Sequence, residues 1–323
     1  MTVEPIDLTN SLDADHLAVL EVLPPDLLDL SDIDRTRAGV EALMAALPAP
    51  ELPSSVTIED VMVPGLGSDP DVQVRLYRPD AMAAGSPALY WIHGGGMVLG
   101  SVEMNDADCA MRAADFGCLV ASVEYRLAPE HPFPAPMHDC YAGLSWLAAN
   151  AADLGVDTDR IAIGGASAGG GLAAGLALIA RDRGGPSICF QLLVYPMLDH
   201  RNDRPSTQAI TDSRVWNRDA NRAGWDAYLG ATDRGDVSPY ASPSVADDLS
   251  GLPPAYINVG QFDMFLDEDV AYAQALLRAG VDCELHIYPG AFHGSNGFVV
   301  DSPLSKRWLA DENVALRSAL FPH

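Results

Sequence analysis

The stretch "GGASAGGG", residues 164–171, sets one serine among five glycines and two alanines, directly after the apolar run Ile161-Ala162-Ile163. Stripping the bulk from around Ser167 makes sense if something must come very close to its hydroxyl. The local pattern is Gly165-x-Ser167-x-Gly169, with strand-like sequence before it and helix-like sequence after it. That is the setting of a nucleophile elbow, a sharp strand-to-helix turn that forces the serine into a strained backbone conformation at the edge of a sheet. Glycine-rich strand–helix turns also arise for packing alone, so the pentapeptide does not decide between the two. Its partners must.

Two competing motifs fail on position. Gly169 to Ala174 fits the dinucleotide fingerprint G-x-G-x-x-A, but it lies inside the helix rather than in the turn, and no strand with a terminal acid follows about twenty residues on. A phosphate-cradling P-loop needs lysine after glycine, and the single lysine, Lys306, follows Ser305.

The rest of the chain gives the serine a sheet to stand on. Eight apolar, β-branched runs recur: "VTIEDVMV" (56–63), "VQVRLYRP" (72–79), "ALYWIHG" (88–94), "CLVASVEY" (118–125), "RIAIGGA" (160–166), "FQLLVYP" (190–196), "AYINVGQ" (255–261) and "CELHIYP" (283–289). Helical stretches separate the later runs, which predicts a mostly parallel eight-stranded sheet covered on both faces, with the first two strands as an antiparallel edge. "PMHDCYAGLSWLAANAADLG" (136–155) and "EDVAYAQALLRAG" (268–280) read as amphipathic helices, the second stopped by glycine. Residues 1–50 read as a separate helical segment, capped at Ser31-Asp32 and closed by Pro48, Pro50 and Pro53. A strandless insertion at about 200–245, including "VWNRDANRAGWDAYLG", suits a lid better than a plain loop. The catalytic domain is thus expected over 51–323, with a mainly helical cap from residues 1–50 and the insertion.

Composition narrows the function classes. The 323 residues are 48% hydrophobic and 20% charged, as in a globular protein, and 45 acids against 19 bases give a net charge of -26. Such a field repels phosphate backbones and anionic lipid heads, so neither a nucleic-acid nor a membrane partner is expected. Five scattered cysteines, with no C-x-x-C, predict reduced core thiols rather than a disulfide framework or zinc cluster. With no signal-like N-terminus and no run of about 18 apolar residues, a cytoplasmic protein is expected.

Three features converge on Ser167. Strand "ALYWI" runs into His93-Gly94-Gly95-Gly96, whose side-chain-free backbone lets N–H groups face an oxyanion; a simple tight turn needs one glycine, not three. Strand "AYINVGQ" ends at Phe262-Asp263, and "CELHIYP" leads into "GAFHG", which places His293 at the same sheet edge. Serine, then aspartate, then histidine is the chain order of α/β-hydrolases. Among rivals, His286 lies mid-strand, His93 reads as a brace for the glycine loop, and His131, His138 and His200 read as structural. Asp199 is the chief competitor to Asp263, while Asp267, Glu268 and Asp269 look like helix-start acids that satisfy free N–H groups.

The set "HGGG", "EYRLAPEHPFPAP", "GASAGG", "YPMLD", "DMFLDE" and "YPGAFHG" resembles the hormone-sensitive-lipase-like, bacterial family IV carboxylesterases over about residues 55–300. The resemblance implies an α/β-hydrolase core with a helical cap, no cofactor and no metal, and hydrolysis of short- to medium-chain acyl esters by a chain that often forms homodimers. It puts the nucleophile on Ser167, the acid on Asp263 and the base on His293, with oxyanion donors at the backbone N–H groups of Gly94, Gly95 and Ala168. Two departures stand out. The family's usual G-D-S-A-G has Ala166 in place of the acid, and its usual H-G-F is His293-Gly294-Ser295, with Phe298 further on. A plant hormone receptor resembling the same family binds without hydrolysing, having lost the histidine, so a non-catalytic binding protein is the alternative. Met97, Val98, Tyr195, Trp216, Phe262 and Phe265 are candidate pocket walls, although aromatic and Met residues are more often ordinary core.

Overall fold

The computed structural model describes residues 3–46 and 51–322. Pro48 and Pro50, expected to close the N-terminal segment, lie outside the described residues. Each of the eight expected runs forms a strand: β1 (Val56–Val63), β2 (Val72–Pro79), β3 (Ser86–Ile92), β4 (Leu119–Glu124), β5 (Val156–Ala166), β6 (Phe190–Val194), β7 (Ala255–Phe262) and β8 (Cys283–Phe292). They make one sheet in the order β1-β2-β4-β3-β5-β6-β7-β8. β2 is antiparallel to both β1 and β4, and all other neighbours are parallel.

Alternation along the central strands divides the core between the two faces. In β3, Leu89 and Trp91 point to one side, where they join Cys109, Ala113 and Phe116 of one helix and Leu316 and Leu320 of another. Tyr90 and Ile92 point to the other side, among Leu144, Leu172, Leu176 and Leu276. The helices are α1 (Ala14–Val22), α2 (Ile33–Ala46), α3 (Asp106–Phe116), α4 (Ala135–Ala149), α5 (Ala151–Leu154), α6 (Ala168–Arg183), α7 (Pro205–Ala209), α8 (Arg218–Leu229), α9 (Leu266–Arg278), α10 (Ser295–Phe298) and α11 (Pro303–Leu320). Thus α3 and α11 cover one face, and α4, α6 and α9 the other. Among the described residues, no helix is long and apolar enough to cross a membrane. Residues 200–245 hold α7 and α8 and no strand.

Local chemistry explains the helix ends. Asp32 accepts a hydrogen bond from the Arg35 N–H (3.0 Å), as its expected capping role requires. Gly280, at φ +78, supplies the left-handed stop beyond α9. The acids at the start of α9 behave differently from expectation. Asp267 accepts from the Ser206 N–H (2.8 Å), and Glu268 from the N–H groups of Leu198 (2.7 Å) and Asp199 (3.1 Å). They tie α9 to neighbouring segments. Asp263 instead serves the start of this helix, accepting from the Phe265 N–H at 2.9 Å. Burial pushes the carboxyls of Glu268 and Asp269 well up from the usual range.

The glycines around Ser167 mark the tightest crossing. A Cβ on Gly165 would overlap the Gly169 backbone, one on Gly169 would overlap the Ile92 carbonyl, and one on Gly171 would overlap the Met197 carbonyl. The missing bulk lets α6 press against the ends of β3 and β6. Gly169→Ala is therefore expected to cost about 1–3 kcal/mol through overpacking, read as a lowered urea midpoint.

At the end of β3, His93 is buried, stacks on Tyr125 (centroids 4.2 Å apart) and donates from Nδ1 to the Gly94 carbonyl at 2.8 Å. It braces the glycine loop, as expected. Burial lowers its pKa from 6.5 to about 4. Between those values the unfolded chain binds a proton that the folded chain refuses, so this group's contribution to stability is full above pH 6.5. It falls with pH, by about 1.4 kcal/mol per unit, until pH nears 4. Unfolding titrations at pH 7.5 and 5.0 should show wild type losing more stability than His93→Asn; parallel losses would contradict this assignment.

Candidate active site

Because β3, β5, β6, β7 and β8 run parallel, their C-terminal ends share one rim, and the chain leaves that rim at His93, Ser167, Tyr195, Asp263 and His293. Ser167 sits between β5 and α6 with φ 58 and ψ -120. A non-glycine residue in such a conformation costs about 1–3 kcal/mol and persists only when its surroundings over-determine it. Here the Ser167 N–H donates to the Val194 carbonyl (2.9 Å), and its carbonyl accepts from Gly171 (3.0 Å) and Met197 (2.9 Å). The backbone is pinned from both sides.

Three of the expected residues meet. His293 Nε2 lies 2.9 Å from Ser167 Oγ, and His293 Nδ1 lies 2.7 Å from Asp263 Oδ2. Asp263 is 1% exposed and Ser167 7%. A carboxylate only accepts, so Nδ1 carries the proton and Nε2 is left as the acceptor facing the hydroxyl. The imidazole is held by two rings edge-on, Tyr195 at 4.8 Å and Phe265 at 5.0 Å. It can rotate little without breaking both contacts.

The glycine loop lies beside Ser167. A Cβ on Gly94 would come within 2.8 Å of the Ala166 carbonyl and 3.4 Å of Ser167 Cβ, while Gly95 and Gly96 take φ of 116 and 60. Each of the three positions therefore needs glycine, for approach or for backbone sign. Among the described residues, none of the turn and loop backbone bonds uses the N–H of Gly94, Gly95 or Ala168. Ala168 opens α6, where an N–H has no intrahelical acceptor.

The competing residues are occupied elsewhere. Asp199 is fully buried in a bidentate pair with Arg201 (2.6 and 2.7 Å), which holds its carboxyl below the usual range against the opposing effect of burial. His286 pairs with Glu284 at 2.7 Å, His138 with Asp69 at 2.8 Å, and His200 lies 3.0 Å from Ser242 Oγ; His131 is exposed. Among the described residues, no three His, Cys, Asp or Glu side chains gather as a metal site.

An apolar cavity of about 350 Å³ opens over Ser167, with Leu27, Leu28, Met44, Trp216, Phe292 and Phe298 among its walls. Of the six expected wall residues, Tyr195 and Trp216 line it, and Met97, Val98, Phe262 and Phe265 do not. Met97 and Val98 are folded under the glycine loop into the core, where the Val98 N–H donates to Gly95 O (3.1 Å) and Met97 O accepts from Ala128 (2.9 Å). Phe265 spends its ring on His293. The walls missed by sequence reasoning come largely from α2 and the segment before it, where Leu27, Leu28, Val40, Leu43 and Met44 carry apolar bulk at helix-like spacing with no catalytic motif nearby.

The chain matches known proteins over nearly its whole length. Residues 89–296 match the family described as alpha/beta hydrolase fold. Carboxylesterase NlhH of Mycobacterium tuberculosis is 38% identical over 301 residues, covering 91% of this chain and 94% of that one. Ethyl acetate hydrolase of Pseudomonas putida is 34% identical over 292 residues, covering 84% and 91%. Among solved structures, a bacterial heroin esterase superposes with a TM-score of 0.93 at 43% identity, covering 97% of this chain and 99% of that one. These relatives lend no support to a non-catalytic, receptor-like role. With eight strands in hydrolase order and esterases among its relatives in both sequence and structure, the chain belongs to the hormone-sensitive-lipase-like carboxylesterases of the alpha/beta-hydrolase fold and is a carboxylic ester hydrolase.

Proposed function

We propose that Ser167 is the nucleophile, His293 the general base and acid, and Asp263 the residue that fixes the imidazole's tautomer. The reading rests on one observation, the unbroken row from Asp263 Oδ2 through His293 to Ser167 Oγ at 2.7 and 2.9 Å. Ser167 Oγ attacks the ester carbonyl while its proton passes to His293 Nε2. The new C–O bond leaves a tetrahedral oxyanion, which the N–H groups of Gly94, Gly95 and Ala168 receive. Each such fixed donor is worth about 3 kcal/mol in the transition state. Collapse breaks the ester C–O bond, and His293 returns the proton to the departing alkoxide. Water, deprotonated by the same imidazole, then attacks the acyl-serine and frees the acid.

The substrate in this reading is an ester of a short- to medium-chain acid. Support comes from the size of the apolar cavity, which is at the lower end of ligand sites, and from a relative named ethyl acetate hydrolase. The N-terminal segment, through α2 and the turn before it, and residues 200–245 act as its cap, since both contribute walls.

Incubating wild type and Ser167→Ala with p-nitrophenyl acetate, butyrate and decanoate tests the chemistry and the chain length together. Wild type should release p-nitrophenol fastest from the two shorter esters, and Ser167→Ala should lose at least about 10⁴-fold in kcat while unfolding at a similar urea concentration. Serine-independent release would reject the nucleophile, and a preference for decanoate would reject the chain-length reading.

The choice of acid has its own test. Asp263→Asn should lower kcat by about 10³–10⁴-fold, because an amide favours the wrong tautomer of His293. Asp199→Asn should keep kcat within an order of magnitude. The reverse ranking would move the acid to Asp199.

A further inference from the structure

We propose that His16 is a positioning residue for His293: from the N-terminal helix α1 it fixes Ser295, two residues beyond His293, and so holds the imidazole's loop within reach of Ser167. The inference rests on His293 being the general base. His16 is fully buried, with Nδ1 2.9 Å from Ser295 Oγ and Nε2 3.2 Å from Ser302 Oγ. Its ring also meets Phe292, the residue before His293, edge-on at 6.4 Å.

The loop that carries His293 needs such a hold. β8 pairs with β7 only as far as Phe292, opposite Phe262, so the sheet ladder ends one residue before the imidazole. Past the imidazole the chain continues through Gly294, at φ +72, into the single turn of α10. Upstream, the Asp13 N–H donates to the Gly290 carbonyl (3.0 Å), and a Cβ on Gly290 would crowd Asp13. The start of α1 therefore grips the strand before His293, and His16 grips the turn after it.

This also accounts for the departure H-G-S. The family's phenylalanine position is Ser295, whose hydroxyl is fully buried and would be costly without a partner. His16 supplies that partner. A neutral imidazole offers one donor and one acceptor: Ser302 Oγ donates to Ser305 Oγ (3.0 Å) and so accepts from His16 Nε2–H, which leaves Nδ1 to accept from the Ser295 hydroxyl. Burial lowers the His16 pKa against the opposing pull of Asp13 and Asp15, which favours the neutral ring. Ser302 in turn caps α11 through the Ser305 N–H (3.0 Å), and Trp308 of α11 packs edge-on against Tyr195, one of the two rings holding His293. The N-terminal segment that walls the cavity and the loop that carries the base are thus fastened at one buried point.

The test compares His16→Phe, which keeps a ring, Ser295→Ala, which removes one hydroxyl, the double variant, and His16→Gln, whose amide can both donate and accept. Turnover of p-nitrophenyl acetate is expressed per active site counted from the p-nitrophenol burst, so that unfolded protein does not count. Each single loss should lower kcat about tenfold with KM little changed, since small misplacements of a reacting group act on the chemical step. The double variant should lose no more than either single one, and His16→Gln should recover most of the rate. Singles that keep wild-type kcat per site and lose only thermal stability, or losses that multiply in the double variant, would overturn the proposal. A wild type whose turnover did not depend on Ser167 would instead remove the assignment beneath it.

Discussion

The turn at Ser167 is the constraint on which the rest of the site depends. A serine held at φ 58 can persist only if strand and helix close on it from both sides, and they close only because residues 165, 169 and 171 lack a Cβ. The same proximity brings the end of β3 against the elbow, so the glycine loop and the serine hydroxyl are placed by one packing event. Strain in the backbone is thereby exchanged for a serine hydroxyl placed at the rim, beside the glycine loop.

Around that point the protein sorts its carboxyls by environment. Asp263 is buried and spends one oxygen on the imidazole and the other on a backbone N–H. Asp199 is paired instead with Arg201, which holds its carboxyl below the usual range against the effect of burial. Glu268 and Asp269 have no cationic partner among the described residues, and burial pushes their carboxyls well up. A site with several acids near one rim can thus present a single carboxylate to the imidazole.

Much of this was legible in the sequence, and the reason is physical. Strand runs are short, β-branched and bounded by turns, so all eight were readable, and parallel order puts their ends on one edge by necessity. The candidate serine, aspartate and histidine each follow a strand, which made their meeting deducible. Cavity walls were another matter. Met97 and Phe265 flank motif residues in sequence, yet a left-handed turn at Met97 and the ring contact at His293 direct them inward. Met44 of α2 and Leu28 of the turn before it reach the cavity from far away along the chain. His16 carried no motif at all; the serine where a phenylalanine was expected was the one clue. Asp267 and Glu268 misled for a related reason, because their hydrogen bonds run to α7 and to the chain after β6, which only tertiary folding brings near.

The central claim, that one hydroxyl at the strained turn is the atom that forms the covalent bond, is tested most directly by a phosphorylating probe. Diethyl p-nitrophenyl phosphate should form one O–P bond per chain with release of one p-nitrophenolate, and mass spectrometry of the digest should place the diethylphosphoryl group on Ser167. Label on another residue, or full ester hydrolysis by a chain that takes up no label, would contradict the account.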